Sequence, residues 1–289
     1  ISFVREYKWK DFSLPMRNSR IVLPFRYPGG KYYAMNILEP FWNSIEHTEY
    51  RETFAGGATV FFAKPKAQIN WLNDLDSELI CCYRTMQDRT LRKKLVEDLS
   101  KEIASKERWR EVFESTPTSE YEVARKYYYL NRTSFSGKLV SAAWGYRPKR
   151  SLPPERWHER ILPCGEYLEG VKLTSTDFSD VLRAEGENVL LYVDPPYYLP
   201  PKFKHYRFGF DPEDHVRLAE ELQRTTHKFF LTYDDCPEIR QLYKWANIFP
   251  VEFFYRVDNS SVRGGNRQVG FELIITNFEL ANQQLTLEL

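Results

Sequence analysis

The clearest chemical signal in this 289-residue sequence is Leu190-Leu191-Tyr192-Val193-Asp194-Pro195-Pro196-Tyr197, an apolar strand that runs into a carboxylate, two prolines and an aromatic ring. Ligands of open α/β sheets sit at the carboxyl ends of strands. Two consecutive prolines cannot continue a β-ladder and hold the turn within a narrow range of backbone angles. Chemistry on an exocyclic amine of a planar ring needs acceptors for two N–H hydrogens and a surface for stacking. The Asp194 carboxylate and the Pro195 carbonyl could supply the acceptors, and Tyr197 the surface. The plainer alternative is a rigid strand-to-loop turn that happens to contain an Asp.

Four further segments carry weaker signals. Phe54-Ala55-Gly56-Gly57-Ala58-Thr59 reads as a strand end, a glycine turn and a helix start, and Gly56 would let the backbone approach a ligand. It lacks the GxGxxG spacing of a dinucleotide fold. Some 20 residues on, Asp74 closes the run Ile69-Asn70-Trp71-Leu72-Asn73-Asp74 and could accept ribose hydroxyls or cap a helix. Phe25-Arg26-Tyr27-Pro28-Gly29-Gly30-Lys31 could aim backbone N–H groups and one ammonium at an anion, though it is too short for a Walker A loop. Asp177 and Phe178 end the strand before Asp194 and could hold a purine by hydrogen bond and stacking, or Asp177 could be a helix cap.

The elements that must position these residues follow from patterning. Short β-like runs and helical patterns alternate over residues 20–83 and again over 166–280, which predicts an α/β sheet layered by helices. Residues 84–165 read as a mostly helical insertion, with Leu91, Leu95, Leu99 and Ile103 at helical spacing. The last two β runs, 251–257 and 271–278, predict an antiparallel pair at the end of the sheet. The five His make no HExxH pair, and the four Cys have no zinc spacing, so no metal is expected. Scattered thiols fit a reducing cytoplasm, and no apolar run reaches the length of a membrane span.

The order PGGK, FAGG, NDLD, insertion, TDF, DPPY resembles the D12 class of N6-adenine DNA methyltransferases over roughly residues 24–278. Asn131-Arg132-Thr133-Ser134-Phe135-Ser136-Gly137 and Leu231-Thr232-Tyr233-Asp234-Asp235 are similar to further segments of that family. The resemblance implies a Rossmann-like sheet with an antiparallel C-terminal strand, binding S-adenosylmethionine (AdoMet), with 84–165 as an inserted target-recognition domain. It implies that Tyr27, Lys31, Phe54, Gly56, Asp74, Asp177, Phe178 and Asp194 touch the cofactor. Asp194, Pro195, Pro196 and Tyr197 would hold a flipped adenine of duplex DNA. Thr53 stands where family members often have Pro, and Tyr27 where Trp is frequent. A cognate restriction endonuclease, in a bacterial, archaeal or phage setting, is the expected functional partner. Alternatives are methylation of RNA or another planar amine, and a non-catalytic DNA-binding module.

The formal net charge is only +1, which excludes a generic basic DNA coat. Residues 125–160 nevertheless hold nine Lys or Arg against two Glu, interleaved with seven aromatic rings. Clustered cations suit phosphates, and aromatics suit unstacked bases. Arg132, Ser136, Lys138 and Arg147 are the expected DNA contacts, whereas the Tyr127-Tyr128-Tyr129 run reads as core. Residues 200–210 read as a flap ordered by DNA or as a rigid loop, and 263–267 as a basic hairpin turn.

Overall fold

A computed structural model describes residues 22–27, 29–137, 139, 141–199, 209–255 and 268–280. Lys138, residues 200–208 of the expected flap and the 263–267 turn lie outside the described residues. Among these residues the strands are β1 (Glu49–Glu52), β2 (Ile69–Asn73), β3 (Lys172–Thr174), β4 (Val189–Val193), β5 (Lys228–Asp234), β6 (Asn247–Tyr255) and β7 (Gln268–Thr276). The helices are α1 (Met35–Asn43), α2 (Thr59–Ala63), α3 (Ser77–Gln87), α4 (Arg89–Ser100), α5 (Lys106–Glu114), α6 (Glu120–Thr133), α7 (His158–Leu168), α8 (Phe178–Arg183), α9 (Pro212–Arg224) and α10 (Pro237–Leu242). No described helix is long and apolar enough to cross a membrane.

The sheet order is β3-β2-β1-β4-β5-β7-β6. Neighbours from β3 to β5 pair in parallel, and β7 runs antiparallel to both β5 and β6. This is the expected Rossmann-like sheet with its reversed C-terminal strand. Central β4 is Val-Leu-Leu-Tyr-Val and buried throughout, as a parallel strand covered on both faces must be. Alternation along the strands splits the core in two. Leu190, Tyr192 and Phe230 face one cluster, and Leu191, Val193, Phe229 and Leu231 face the other.

The first cluster also contains Leu95, Leu99, Tyr127, Tyr128 and Tyr129, so side chains of the 84–165 segment pack into the same core as the sheet. Phe25 sits edge-on to Tyr83 at 5.2 Å and to Tyr127 at 5.5 Å. Helices α3 and α7 run across the expected boundaries at 83/84 and 165/166.

Strand β1 reads Glu-Tyr-Arg-Glu, yet all four residues are buried. Side chains two apart share a face, and each face solves its own charge problem. On one face Arg51 Nε donates to Glu49 Oε1 at 2.6 Å, while its Nη atoms donate to the carbonyls of Val181, Ala184 and Glu185 at 2.7–2.9 Å. That clamp ties β1 to the end of α8. On the other face Glu52 Oε1 accepts from Tyr50 Oη at 2.8 Å and from the Phe61 amide of α2 at 2.7 Å.

Removing one partner of a buried ion pair strands the other charge. Arg51→Leu should therefore lower unfolding free energy by about 3–5 kcal/mol, measured by urea denaturation; a loss below about 1 kcal/mol would contradict the clamp.

Candidate active site

The carboxyl ends of β1, β2 and β4 open into a cavity of about 1090 Å³. Its wall includes Tyr27, Lys31, Glu52, Phe54, Gly56, Asp74, Tyr192, Asp194 and Pro196. Asp194 follows β4 directly. Its Oδ1 accepts from Lys31 Nζ at 2.8 Å and from Thr232 Oγ1 of β5 at 2.6 Å, and its Oδ2 accepts from Lys31 at 2.9 Å. A carboxylate offers about four lone-pair sites, so these three bonds leave roughly one, on Oδ2. Lys31 is placed by the 3₁₀ turn Lys31–Ala34 and also donates to the Gly29 carbonyl at 3.2 Å.

The loop after Asp194 is held from β5 and β7. Asp234 accepts from the amides of Tyr198 and Leu199 at 2.9 and 2.8 Å. Tyr197 Oη donates to Glu272 Oε2 at 2.6 Å, and the β5–β7 register sets Glu272 opposite Asp234. Lys31 Nζ lies 4.9 Å from the Tyr197 ring centroid. Tyr197 thus stands beside the Asp194–Lys31 pair without lining the cavity itself, and Pro195 is buried behind it.

The glycine turn is shaped by a side chain of the protein. Gly56 has φ +47°, and a Cβ there would lie 2.7 Å from the Tyr27 ring; one on Gly57 would lie 2.8 Å from the Tyr27 Cβ. The turn is glycine-rich because Tyr27 packs onto its backbone. The Gly56 amide donates to Asp74 Oδ2 at 2.8 Å and the Asp76 amide to Oδ1 at 2.9 Å, which fixes the Asp74 carboxylate at the cavity wall.

Burial shifts two of these acids. It raises the Asp74 carboxyl to about 6 against the pull of its two backbone donors. It raises Glu52 to about 8, with the Tyr50 and Phe61 hydrogen bonds opposing and the charge of Asp194 adding. The cavity joins these carboxyls and Lys31 to the aromatic faces of Tyr27, Phe54 and Phe210. That donor set fits a ligand that is cationic, carries hydroxyls and has a planar ring.

Asp177 and Phe178 stand elsewhere. Asp177 caps α8, accepting from the Ser179 amide at 2.9 Å, and takes both Arg217 Nη atoms at 2.7 and 3.0 Å. Those Arg217 bonds, more than any other influence, hold its carboxyl at about 2. Phe178 is buried behind the cavity wall, 5.5 Å from Phe54 and 5.8 Å from Phe210 between ring centroids. Of the expected DNA contacts, Arg147 and Ser136 are exposed, Ser136 with φ +54°, whereas Arg132 is only 6% exposed.

Sequence reasoning did not single out Glu52, Thr232 or Glu272. Glu52 was legible as an acid at a strand end before the glycine turn. Thr232 lay within a noted segment without a role. Glu272 had no local signal, because strand register alone brings it to Tyr197.

Glu52 gives a pH prediction. Its folded form keeps a proton that the unfolded chain releases above 4.5, so this stabilisation is full below that pH, is lost as pH rises, and is gone above about 8. Glu52→Gln keeps an oxygen for Tyr50 and Phe61 and escapes the loss. Its stability gain over wild type should grow by about 1.4 kcal/mol per pH unit across that window, measured by urea denaturation at pH 5 and pH 8. An equal difference at both values would contradict the assignment.

Comparison with known proteins gives the chain its place. It is 28% identical over 294 residues to type II methyltransferase M1.LlaDCHI of Lactococcus lactis subsp. cremoris, covering 92% of this chain and 99% of that one. It is 25% identical over 280 residues to type II methyltransferase M.CviBI of Paramecium bursaria Chlorella virus NC1A, covering 88% and 98%. It is 27% identical over 273 residues to the DNA N-6-adenine-methyltransferase of Escherichia phage P1, covering 86% of this chain but 34% of that longer protein. The sequence pattern of the D12 class N6 adenine-specific DNA methyltransferases matches residues 27–257. With the DPPY carboxylate held at a strand end above an acidic, aromatic cavity, the chain belongs to that family.

Proposed function

We propose that the protein is a site-specific enzyme that transfers a methyl group from AdoMet to N6 of an adenine flipped out of duplex DNA. The observation that carries this reading is the Asp194 carboxylate, held by Lys31 and Thr232 with an acceptor site left on Oδ2. AdoMet supplies an electrophilic methyl group on a sulfonium. Tyr27, Lys31, Phe54, Gly56, Asp74 and Glu52 would hold it in the cavity they line. Phe178 would act from beside Phe54, shaping the wall for the cofactor's adenine, with Asp177 next to it at the start of α8.

Adenine N6 is a poor nucleophile because its lone pair is delocalised into the ring. Asp194 Oδ2 accepts one N6–H and the Pro195 carbonyl the other, which favours a more tetrahedral nitrogen and offsets the positive charge that develops there. Lys31 and Thr232 fix the carboxylate, so little reorganisation remains at the moment of transfer. The N6 proton leaves after transfer. Tyr197, anchored by Glu272, offers the stacking face for a base that is out of reach inside the duplex. Residues 84–165 would carry target recognition through Arg132, Ser136, Lys138 and Arg147. A cognate restriction endonuclease is the functional partner in this reading; two relatives are named type II methyltransferases.

Asp194→Ala should lower methyl transfer to duplex DNA by at least about 10²–10³-fold with duplex binding largely kept, followed by labelled-methyl incorporation and nuclease digestion. Retained turnover, or label on cytosine, defeats the reading. The acidic cavity adds a second test. Below about 6 Asp74 is neutral, and below about 8 Glu52 is neutral, so AdoMet should bind more tightly as pH rises through that range. S-adenosylhomocysteine, which lacks the sulfonium charge, should show a flatter profile by calorimetry; parallel profiles would remove the electrostatic role of these carboxyls.

A further inference from the structure

A second cavity, of about 1510 Å³, has a wall carrying Arg26, Arg132, Lys149, Arg150, Arg156 and Arg160, and among the described residues no Asp or Glu lines it. Arg132, on the last turn of α6, is 6% exposed, and among the described residues its Nε has no hydrogen-bond partner. Among the described residues, only Arg156 of the six forms an ion pair, with Glu159. The cluster repels itself. Burial and the charges of Arg132 and Arg160 make the Arg26 guanidinium easier to deprotonate than usual, and burial and Arg160 do the same to Arg132.

A buried guanidinium without a counter-charge is costly, and like charges beside it raise the cost. The arrangement becomes favourable when an anion enters and takes hydrogen bonds from the planar guanidinium forks. The cavity is open to solvent, so a longer anion can extend out of it. It also runs into the exposed basic loop at Lys149 and Arg150, which favours one unit of a polyanion over a small free anion. Tyr32, 44% exposed at the rim, adds an aromatic face.

The local scaffold ties this cavity to the active site. Asn131 Oδ1 accepts from the Arg26 amide at 3.0 Å, and its Nδ2 donates to the Arg26 carbonyl at 2.8 Å and to the Gly137 carbonyl at 3.1 Å. The next residue after Arg26 is Tyr27, which lines the first cavity. We propose that the Arg26–Arg132–Arg160 cavity binds a backbone phosphodiester of duplex DNA, with the buried Arg132 guanidinium as its anchor. The proposal rests on the methyltransferase reading and names where its substrate backbone is gripped.

Two probes test it. Inorganic phosphate, compared with chloride at equal ionic strength, should raise the thermal-unfolding midpoint of wild type, and the rise should vanish in Arg132→Met. Duplexes of about 20 base pairs should bind that variant on the order of tenfold more weakly whatever their sequence, with a salt slope shallower by about one. Arg150→Gln/Arg160→Gln, made at residues away from the packed core, carries the same expectation should Arg132→Met not fold. AdoMet affinity, expected unchanged, reports the integrity of each variant. Folded variants that keep wild-type duplex affinity and salt slope overturn the proposal. So does phosphate stabilisation that the substitutions abolish without any effect on duplex binding, which marks a free-anion site. Failure of the methyltransferase reading looks different: wild type would bind phosphate and duplex yet transfer no methyl group to adenine.

Discussion

The bridge from Lys31 to Asp194 is the interaction on which the rest of the site depends. It spans 163 residues and joins the Gly-Gly turn before α1 to the end of β4, with Thr232 of β5 as its third point. A carboxylate held from two sides cannot turn freely, so the direction of its remaining lone pair is set before any ligand arrives. The parallel register of β4 and β5 supplies the geometry, because it sets Val193 beside Leu231 and carries the next residues, Asp194 and Thr232, to the same edge. A shift of one residue in that pairing would turn the threonine to the opposite face.

Around this bridge the fold keeps acids where water is scarce. Asp74 stays in place through two backbone amides, and Glu52 through a tyrosine hydroxyl and an amide. Hydrogen bonds of this kind offset the desolvation of a carboxyl only partly, which is why both are pushed towards their neutral forms. The same stretch of chain handles the opposite sign differently. Arg51 is fully matched by a glutamate and three carbonyls, whereas Arg132 has no partner at Nε among the described residues. One buried guanidinium is mortar for the sheet, and the other is exposed to whatever enters its cavity.

Much of this was legible in the sequence. Strand β4 and its DPPY end, the glycine turn, Asp74 and the reversed β7 all stood out, since each depends on local patterning or on a turn with a chemical signature. Strand β1 was legible as the strand end before the glycine turn, but the burial of all four residues of Glu-Tyr-Arg-Glu was not, because it depends on the i, i+2 partners. Asp177 was ambiguous for a physical reason. The same side chain can cap a helix and accept a ligand, and only the position of Arg217, 40 residues away, shows what it holds in the free protein. Arg132 reads in the sequence as a DNA contact, and its burial could not be read there because it depends on the packing of α6. The contribution of Glu272 was invisible, as it comes from non-local strand pairing. That Tyr83, Phe25 and Tyr127 share one core was not legible, because it depends on packing between distant segments.

The placement of β7 has a consequence for how the protein comes into being. A ribosome makes β4 and the Asp194 loop long before it makes residues 268–276, yet β7 is the strand that fills the space between β5 and β6 and brings Glu272 to Tyr197. A nascent chain can therefore assemble its cofactor end and its basic segment while the aromatic ring of the DPPY loop still lacks its anchor. Anchoring of that ring waits for β7, so the order of synthesis separates formation of the basic segment from completion of the DPPY loop.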